Sequence, residues 1–234
     1  ILISVANAFR RRDLEITNRS YRRNLEQMVD ERTDSLQRSM KKLENAMDGI
    51  VRAIAHTVET RDPYTAGHQR RVADLAVAIA ETVGFEKDKI EAVRVAASIH
   101  DLGKISVPAE ILSKPSRLTV NEFNLIKEHP QVGYDILKDI EFPWEIATMV
   151  YQHHEKLDGS GYPLGVSGDD ILPESRVLTV ADIVEAMASH RPYRPGLGMD
   201  VALGEIDKNK GKFYDPEVSA ACHALFNEKR FTFE

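Results

Sequence analysis

The stretch between residues 14 and 50 constrains the fold most strongly, because it contains no proline and its only glycine is Gly49. Apolar residues recur seven positions apart in two rows of different phase, Leu14-Tyr21-Met28 and Leu36-Leu43-Ile50. This pattern predicts a long α-helix with an imperfect coiled-coil seam. A helix this polar needs a partner to bury its seam, so we expect a parallel homodimer; a solitary solvated helix is the alternative.

The rest of the chain is patterned for shorter helices. The tripeptide Arg61-Asp62-Pro63 predicts the turn that ends the long helix. Helical spacing then predicts a helix through Val72 and Val83, closed by Gly84, and further helices over about 87–102, 119–129, 143–154, 174–189, 200–210 and 216–227. No stretch shows the alternation that is typical of a strand, so the predicted class is all-α.

Start signals support two of these helices. Thr119 is followed three residues later by Glu122, which is the signature of a capping box. Asp215 precedes Pro216, a pairing that is favoured at a helix N-terminus. We expect three regions: residues 1–13 as the remnant of an upstream domain, 14–50 as a signalling helix, and 51–234 as the main domain.

Charge and composition exclude several function classes. Between Arg10 and Lys42 there are ten Lys and Arg against six Asp and Glu, a net charge of +4, so the total of −6 leaves −10 for residues 43–234. An acidic main domain argues against a broad nucleic-acid surface. The single Cys222 excludes an internal disulfide, and no apolar run is long enough to cross a bilayer. We therefore expect a soluble, cytoplasmic protein without a membrane or nucleic-acid partner.

One pentapeptide combines an imidazole, a carboxylate and an ammonium at the end of an apolar helix, His100-Asp101-Leu102-Gly103-Lys104. Neighbouring helical residues point about 100° apart, so both could bind one ion only if it lay near the C-terminal turn. Gly103 is expected to end the helix in the left-handed conformation, which would turn Lys104 back toward the same place. By itself this motif leaves open a histidine satisfied by a local hydrogen bond.

The distribution of histidines favours the metal interpretation. Five of the eight stand where predicted helices start or stop, namely His68, His100, His129, His153 and His154. Because helix ends can converge on one cleft, these groups and the carboxylates of Asp101 and Asp182 give seven candidate ligands. This number suits two ions bridged by a carboxylate. Mixed imidazole and carboxylate ligands favour iron, manganese or zinc over calcium or magnesium. We expect His56, His190 and His223 to lie outside this set.

Several separated motifs carry a family resemblance. The pentapeptide at residues 100–104, followed by Gly161-Tyr162-Pro163, resembles the HD-GYP subgroup of the HD phosphohydrolase superfamily, and so do residues 61–68 and Arg191-Pro192-Tyr193-Arg194. The likeness extends from about residue 48 to the C-terminus. It implies an all-helical HD-type domain that hydrolyses the bacterial second messenger cyclic di-GMP.

The resemblance also implies roles for individual residues. It makes Asp101 the bridge between two ions and Lys104 a contact to the scissile phosphate, both as catalytic residues. Some relatives bind a third metal through a glutamate at the position of Tyr64, so we expect two ions, iron or manganese. The implied substrate contacts are Lys104, Tyr162, Arg191 and Arg194, and the implied metal ligands are His68, His100, Asp101, His129, His153, His154 and Asp182.

The expected reaction is attack on the phosphodiester by a hydroxide between two cations about 3.5–4 Å apart. The expected product is linear pGpG, and further cleavage to GMP is left open. Two alternatives are a cyclic di-GMP sensor or interaction module with little turnover, and a hydrolase of nucleotide phosphates. The segment Asp30-Glu31-Arg32-Thr33 resembles the helix that follows a receiver domain, which implies a response regulator with that domain upstream.

Overall fold

A computed structural model describes residues 2–61, 67–189 and 196–233, in which every regular element is a helix. The prediction of an all-α fold is confirmed, since the described residues contain only one isolated β-bridge, between Lys210 and Tyr214. The α-helices are α1 (Leu2–Arg61), α2 (His68–Val83), α3 (Lys87–Ile99), α4 (Ala109–Leu112), α5 (Val120–Ile126), α6 (His129–Leu137), α7 (Ile146–Gln152), α8 (Pro173–Ala188), α9 (Met199–Lys208) and α10 (Pro216–Asn227).

The chain divides into two units, Ile1–Ile50 and Val51–Glu234. Helix α1 begins earlier than predicted, at Leu2, with no break near residue 13, and it ends at Arg61 as the Arg61-Asp62-Pro63 turn predicts. In the first unit the predicted seam is unburied, with Tyr21 63% and Leu43 73% exposed. The homodimer stays a prediction. No helix among the described residues is long and apolar enough to span a membrane.

The core of the second unit lies where α2, α3 and α8 pack against one another. Their apolar residues recur at helical spacing, so each helix presents one face to the other two. The most deeply buried of these side chains include Leu75, Ile79, Val93, Ala97, Val177 and Val180. Helices α9 and α10 pack on α8, and α6 packs on α7 and on the 3₁₀ helix Leu102–Ser106. This arrangement brings the ends of α2, α3, α6 and α7 to one side of α8.

The predicted helix signals are mostly confirmed. Gly84 ends α2 in the left-handed conformation, with φ 90°. Both hydrogen bonds of the Thr119 capping box are formed at the start of α5, and the Asp215 side chain accepts two backbone N–H groups of α10. The predicted end near His129 is wrong, because α5 stops at Ile126 and His129 begins the separate helix α6. A proline in the first turn, where its missing N–H costs nothing, favours this new start.

The predicted left-handed conformation of Gly103 is also wrong. Helix α3 ends at Ile99, and Gly103 lies within the 3₁₀ helix Leu102–Ser106 with no positive φ. The glycine is needed for a different reason, since a Cβ at this position would lie 1.9 Å from the His129 carbonyl oxygen and 2.6 Å from the Gly133 nitrogen. The absence of a side chain therefore lets α6 approach the segment that carries Asp101 and Lys104.

We expect Gly103→Ala to destabilise the second unit, because the added methyl group collides with backbone atoms. Overpacking of this kind costs about 1–3 kcal/mol or more, which would lower the melting temperature by about 2–4 °C per kcal/mol. The control is Gly204→Ala, where a Cβ meets nothing within 4 Å in the middle of α9. That change should raise stability by roughly 0.5–1 kcal/mol. Equal melting temperatures for the two variants in a thermal unfolding experiment would contradict this packing account.

Candidate metal centre

The structure brings all seven predicted ligand residues together in the second unit. The ligand atoms of six of them form two triads, and within each triad all three atoms lie within 4.8 Å of one another. The first triad is His68, His100 and Asp101, and the second is His129, His153 and His154. Four of the five histidines lie at or next to helix ends, because His68 and His129 begin α2 and α6, while His100 and His153 cap α3 and α7.

Asp101 belongs to the first triad and also faces the second. Its Oδ2 is 3.6 Å from His100 Nε2 and 3.8 Å from His68 Nε2. Its Oδ1 is 3.4 Å from His129 Nε2. One carboxylate oxygen therefore faces each triad, which is the arrangement that a bridging ligand requires.

Asp182 of α8 approaches both triads from another direction. Its Oδ1 lies 3.3 Å from His68 Nε2 and 3.7 Å from His100 Nε2. Its Oδ2 lies 4.0 Å from His154 Nδ1. Asp101 and Asp182 are buried together with four of the five imidazoles, while the His154 side chain is 20% exposed.

Local hydrogen bonds orient three of the histidines. The Nδ1–H groups of His100, His129 and His153 donate to the carbonyl oxygens three residues earlier, at 2.7, 2.7 and 2.6 Å. This bond fixes the tautomer and leaves the Nε2 lone pair to face the centre. His100 Nε2 is fully buried and has no hydrogen-bond partner. A buried lone pair without a donor is costly unless a cation binds it, so the residues present fit a metal site.

A carboxylate that the sequence analysis missed orients the first histidine. Glu185 is fully buried, and its Oε2 accepts a short hydrogen bond from His68 Nδ1. Arg71 and Ser189 donate to its Oε1, at 2.7 Å each. Burial raises the pKa of Glu185, but the hydrogen bonds, led by that from His68, bring it down to about 2. The available signal was its position three residues after Asp182, on the same face of α8.

The charge state of the cluster suits a cation. Burial opposes ionisation of Asp101, yet the Lys104 ammonium at 2.7 Å and the nearby histidines hold its pKa well below the usual range. The neighbouring His100 and His68 likewise hold the pKa of Asp182 well below the usual range, against the effect of burial. Burial lowers the pKa of His129 to about 3 and that of His154 to about 4. Near neutral pH these two carboxylates are charged and these two imidazoles are neutral, as metal binding requires of them. Burial opposes protonation of His100, but Asp101 and Asp182 raise its pKa overall, so a metal ion bound there displaces a proton.

The loop with Gly161-Tyr162-Pro163 lies directly against the second triad. The Tyr162 ring centroid is 4.7 Å from that of His154, and the Tyr162 N–H donates to the His154 carbonyl oxygen at 3.2 Å. Gly161 permits this contact, because a Cβ there would lie 2.5 Å from the Glu155 Cα and 2.6 Å from the His154 oxygen. The loop can therefore follow the backbone of the metal-site residues closely.

Glu155, a second residue that the sequence analysis missed, fastens the same loop. It is buried, and its Oε1 accepts the N–H groups of Leu164 at 2.7 Å and of Gly165 at 3.1 Å. Burial raises the pKa of its carboxyl. The loop that carries Tyr162 is thus tied at both ends to residues 154 and 155, which directly follow His153.

The other predicted residues have varied outcomes. Lys104 lies at the centre with its side chain 17% exposed. His56 is exposed, and His223 pairs with Asp207 on α9 at 3.1 Å, so both lie outside the cluster as predicted. Predictions that concern Asp62, Pro63, Tyr64, His190, Arg191 and Arg194 fall outside the described residues.

We expect Mn²⁺ to raise the melting temperature of the chelator-treated protein, since a ligand at 100 times its Kd stabilises the folded state by about 2.7 kcal/mol. Asp101→Ala should remove most of this shift because both triads lose their shared carboxylate. The variant His223→Ala changes a histidine outside the cluster and should keep the full Mn²⁺ shift in melting temperature. A full Mn²⁺ shift in Asp101→Ala, measured by thermal unfolding and metal analysis, would contradict the shared role of this residue.

We also expect Glu155→Ala to loosen the tyrosine loop, because the Leu164 and Gly165 N–H groups lose their acceptor. Hydrogen exchange of the peptide covering residues 161–166 should become faster by an order of magnitude or more, while peptides in α2 keep their protection. Glu155→Gln retains an acceptor, the amide oxygen, and should restore most of the protection of residues 161–166 against exchange. The account of this loop fails if Glu155→Ala exchanges at the rate of the unchanged protein.

Comparisons with known proteins agree with this geometry. Residues 52–218 match a family model described as HD domain. The cyclic di-GMP phosphodiesterase response regulator RpfG of Xanthomonas campestris is 36% identical over 180 residues, which cover 76% of this chain and 48% of that protein. The 3'3'-cGAMP-specific phosphodiesterase 3 of Vibrio cholerae is 39% identical over 182 residues, which cover 77% of this chain and 39% of that protein. The chain thus spans less than half the length of each.

A solved structure of a phosphodiesterase is also similar to this chain. The crystal structure of the cyclic GMP-AMP-specific phosphodiesterase V-cGAP3 of V. cholerae aligns with a TM-score of 0.51 and 32% sequence identity, covering 78% of this chain and 42% of that one. The family match extends over well more than half of the 234 residues and includes both histidine triads. The resemblance read from the sequence motifs is therefore confirmed, and the chain belongs to the HD domain family.

Proposed function

We propose that this chain is a metal-dependent cyclic dinucleotide phosphodiesterase that hydrolyses cyclic di-GMP to linear pGpG. The observation that carries the proposal is Asp101, whose two oxygens face separate histidine triads while Lys104 Nζ donates to its Oδ2 at 2.7 Å. The relatives described above are named as phosphodiesterases of cyclic di-GMP and of 3'3'-cGAMP, which supports this class of reaction.

Two divalent ions fit the donor set. We assign one to His68 and His100 and the other to His129, His153 and His154, with Asp101 shared and Asp182 completing the set. Mixed nitrogen and carboxylate donors favour iron or manganese over calcium or magnesium. When bound, such a pair supplies the Lewis acidity that activates a water nucleophile and neutralises a phosphodiester. A third ion stays doubtful, because Tyr64 replaces the glutamate that some relatives use.

The chain's own side chains have distinct tasks in this proposal. Lys104 is held by Asp101 and is still partly exposed, so its remaining N–H groups can donate to a phosphoryl oxygen as negative charge grows there. Burial raises the pKa of Tyr162, so its phenol stays protonated and can donate a hydrogen bond to the substrate. Arg191 and Arg194 are proposed to bind phosphate oxygens, as their motif implies.

The alternative functions fit the site less well. A sensor that only binds cyclic di-GMP has no need for two complete triads or for the buried, unpartnered His100 Nε2. A hydrolase of simple nucleotide phosphates has no evident use for the tyrosine loop fastened by Glu155. Cyclic di-GMP and 3'3'-cGAMP share the same phosphodiester ring, so the choice between them depends on recognition of the bases. Whether cleavage continues to GMP is a matter for product analysis.

We further propose that α1 forms a parallel coiled-coil homodimer and transmits a signal from an upstream receiver domain. The unburied seam of the first unit supports the dimer, since Leu14, Met28 and Leu36 are each more than half exposed. The similarity to a response regulator supports the upstream domain. In such an arrangement, phosphorylation would alter the pairing of the two helices and thereby the access of substrate to the metal centre.

We expect Asp101→Ala to abolish hydrolysis of cyclic di-GMP together with metal loading, because each triad loses a ligand. Lys104→Met should retain both ions and lower kcat by about 10²–10³-fold, the usual cost of removing one transition-state donor. Product formation by chromatography, on anaerobically prepared protein of measured metal content, checks both. His223→Ala should match the unchanged enzyme. Turnover of cyclic di-GMP by Asp101→Ala at the parent rate would refute the proposal.

A further inference from the structure

We infer that Lys127 is an additional substrate-binding residue, which contacts the second, non-scissile phosphate of the cyclic dinucleotide. Nothing in the family motifs points to this lysine. The inference rests on the proposed function, since it assigns a contact within the same reaction. The observation behind it is an ammonium group placed beside the tyrosine loop, which pairs with no carboxylate among the residues that the structure describes.

The position of Lys127 is defined by two aromatic rings. Its Nζ lies 5.2 Å from the ring centroid of Phe123 and 5.1 Å from that of Tyr162. Phe123 is one helical turn earlier on α5, and the Lys127 N–H donates to its carbonyl oxygen at 3.0 Å. Cation–π contacts within about 6 Å stabilise an ammonium in a chosen place without taking up its N–H donors.

The donors of Lys127 are available to a ligand. Within the residues that the structure describes, we find neither a hydrogen bond nor a salt bridge from its Nζ, and its side chain is half-buried at the surface. Lys104 differs, because Asp101 already accepts from its ammonium. Two lysines therefore lie near the loop. Lys104 adjusts the charge of the metal centre, whereas Lys127 has no carboxylate within 4 Å in the described ranges 2–61, 67–189 and 196–233.

The backbone ties Lys127 to the metal centre. The carbonyl oxygen of Ile126, the preceding residue, accepts the hydrogen bond from His129 Nδ1 at 2.7 Å. The Tyr162 ring, which contacts Lys127, also contacts the ring of His154 at 4.7 Å. Lys127 is therefore linked on one side to a histidine of the second triad and on the other to the tyrosine loop, at the rim of the same site.

The chemistry of the substrate explains the need for such a cation. A cyclic dinucleotide carries two phosphodiesters, and the metal centre with Lys104 can neutralise only the one that is cleaved. The other phosphate needs cations of its own, beside the contacts proposed for Arg191 and Arg194, in a domain whose net charge is strongly negative. A lysine with free donors can contact that second phosphate, and such a charge-assisted hydrogen bond favours the whole molecule over a single phosphodiester.

The test compares substrates with one and two phosphates. We expect Lys127→Met to raise KM for cyclic di-GMP about tenfold or more with kcat within about twofold, because the lost contact is equal in the ground and transition states. Hydrolysis of bis(p-nitrophenyl) phosphate, which has a single phosphodiester, should not change. Lys127→Arg should restore most of the affinity. The matched control is Lys138→Met, which removes the lysine that caps α6 in the same way that Lys127 caps α5.

Three results would overturn the inference. An unchanged KM for cyclic di-GMP in Lys127→Met would show that the lysine makes no substrate contact. If Lys127→Met lowered kcat/KM equally for cyclic di-GMP and for bis(p-nitrophenyl) phosphate, or lowered the melting temperature, the lysine would merely support the loop. A changed ratio of kcat/KM between cyclic di-GMP and 3'3'-cGAMP would assign it to a base instead. If the unchanged protein hydrolyses no cyclic dinucleotide, the proposed function fails and this inference with it.

Discussion

The contact on which the rest of the site depends is the Asp101 carboxylate between two groups of histidines. Buried charge is costly, and here the nearby Lys104 ammonium and the imidazoles keep this carboxyl ionised. One of its oxygens faces His68 and His100 and the other faces His129, and this is the basis for proposing two ions. The packing of the second unit can be understood as the means of bringing four helix ends to this carboxylate.

The helix ends also provide the orientation that the ligands need. Carbonyl groups in a last turn or tight turn have no partner within the helix, and three of them accept the Nδ1–H groups of His100, His129 and His153. Each of these bonds gives the carbonyl group a partner and directs the Nε2 lone pair of the histidine toward the site. His68 begins α2, and its Nδ1 donates instead to the buried carboxylate of Glu185.

Much of the fold and of the ligand set could be predicted from the sequence, because helix signals are local. The capping box at Thr119 and the left-handed Gly84 depend only on neighbouring residues. Gly103 could not be understood in this way, since its constraint comes from the His129 carbonyl of the separate helix α6. Glu155 was missed for a similar reason: its partners, Leu164 and Gly165, follow in a loop whose path no periodicity reveals.

The central claim is that Asp101 joins two metal sites. The most direct measurement is a crystal structure of the anaerobically prepared, manganese-loaded protein with anomalous scattering data. The account predicts two anomalous peaks about 3.5–4 Å apart, one beside each triad, with one Asp101 oxygen on each. A single peak in fully loaded protein, or two peaks that Asp101 does not bridge, would contradict it.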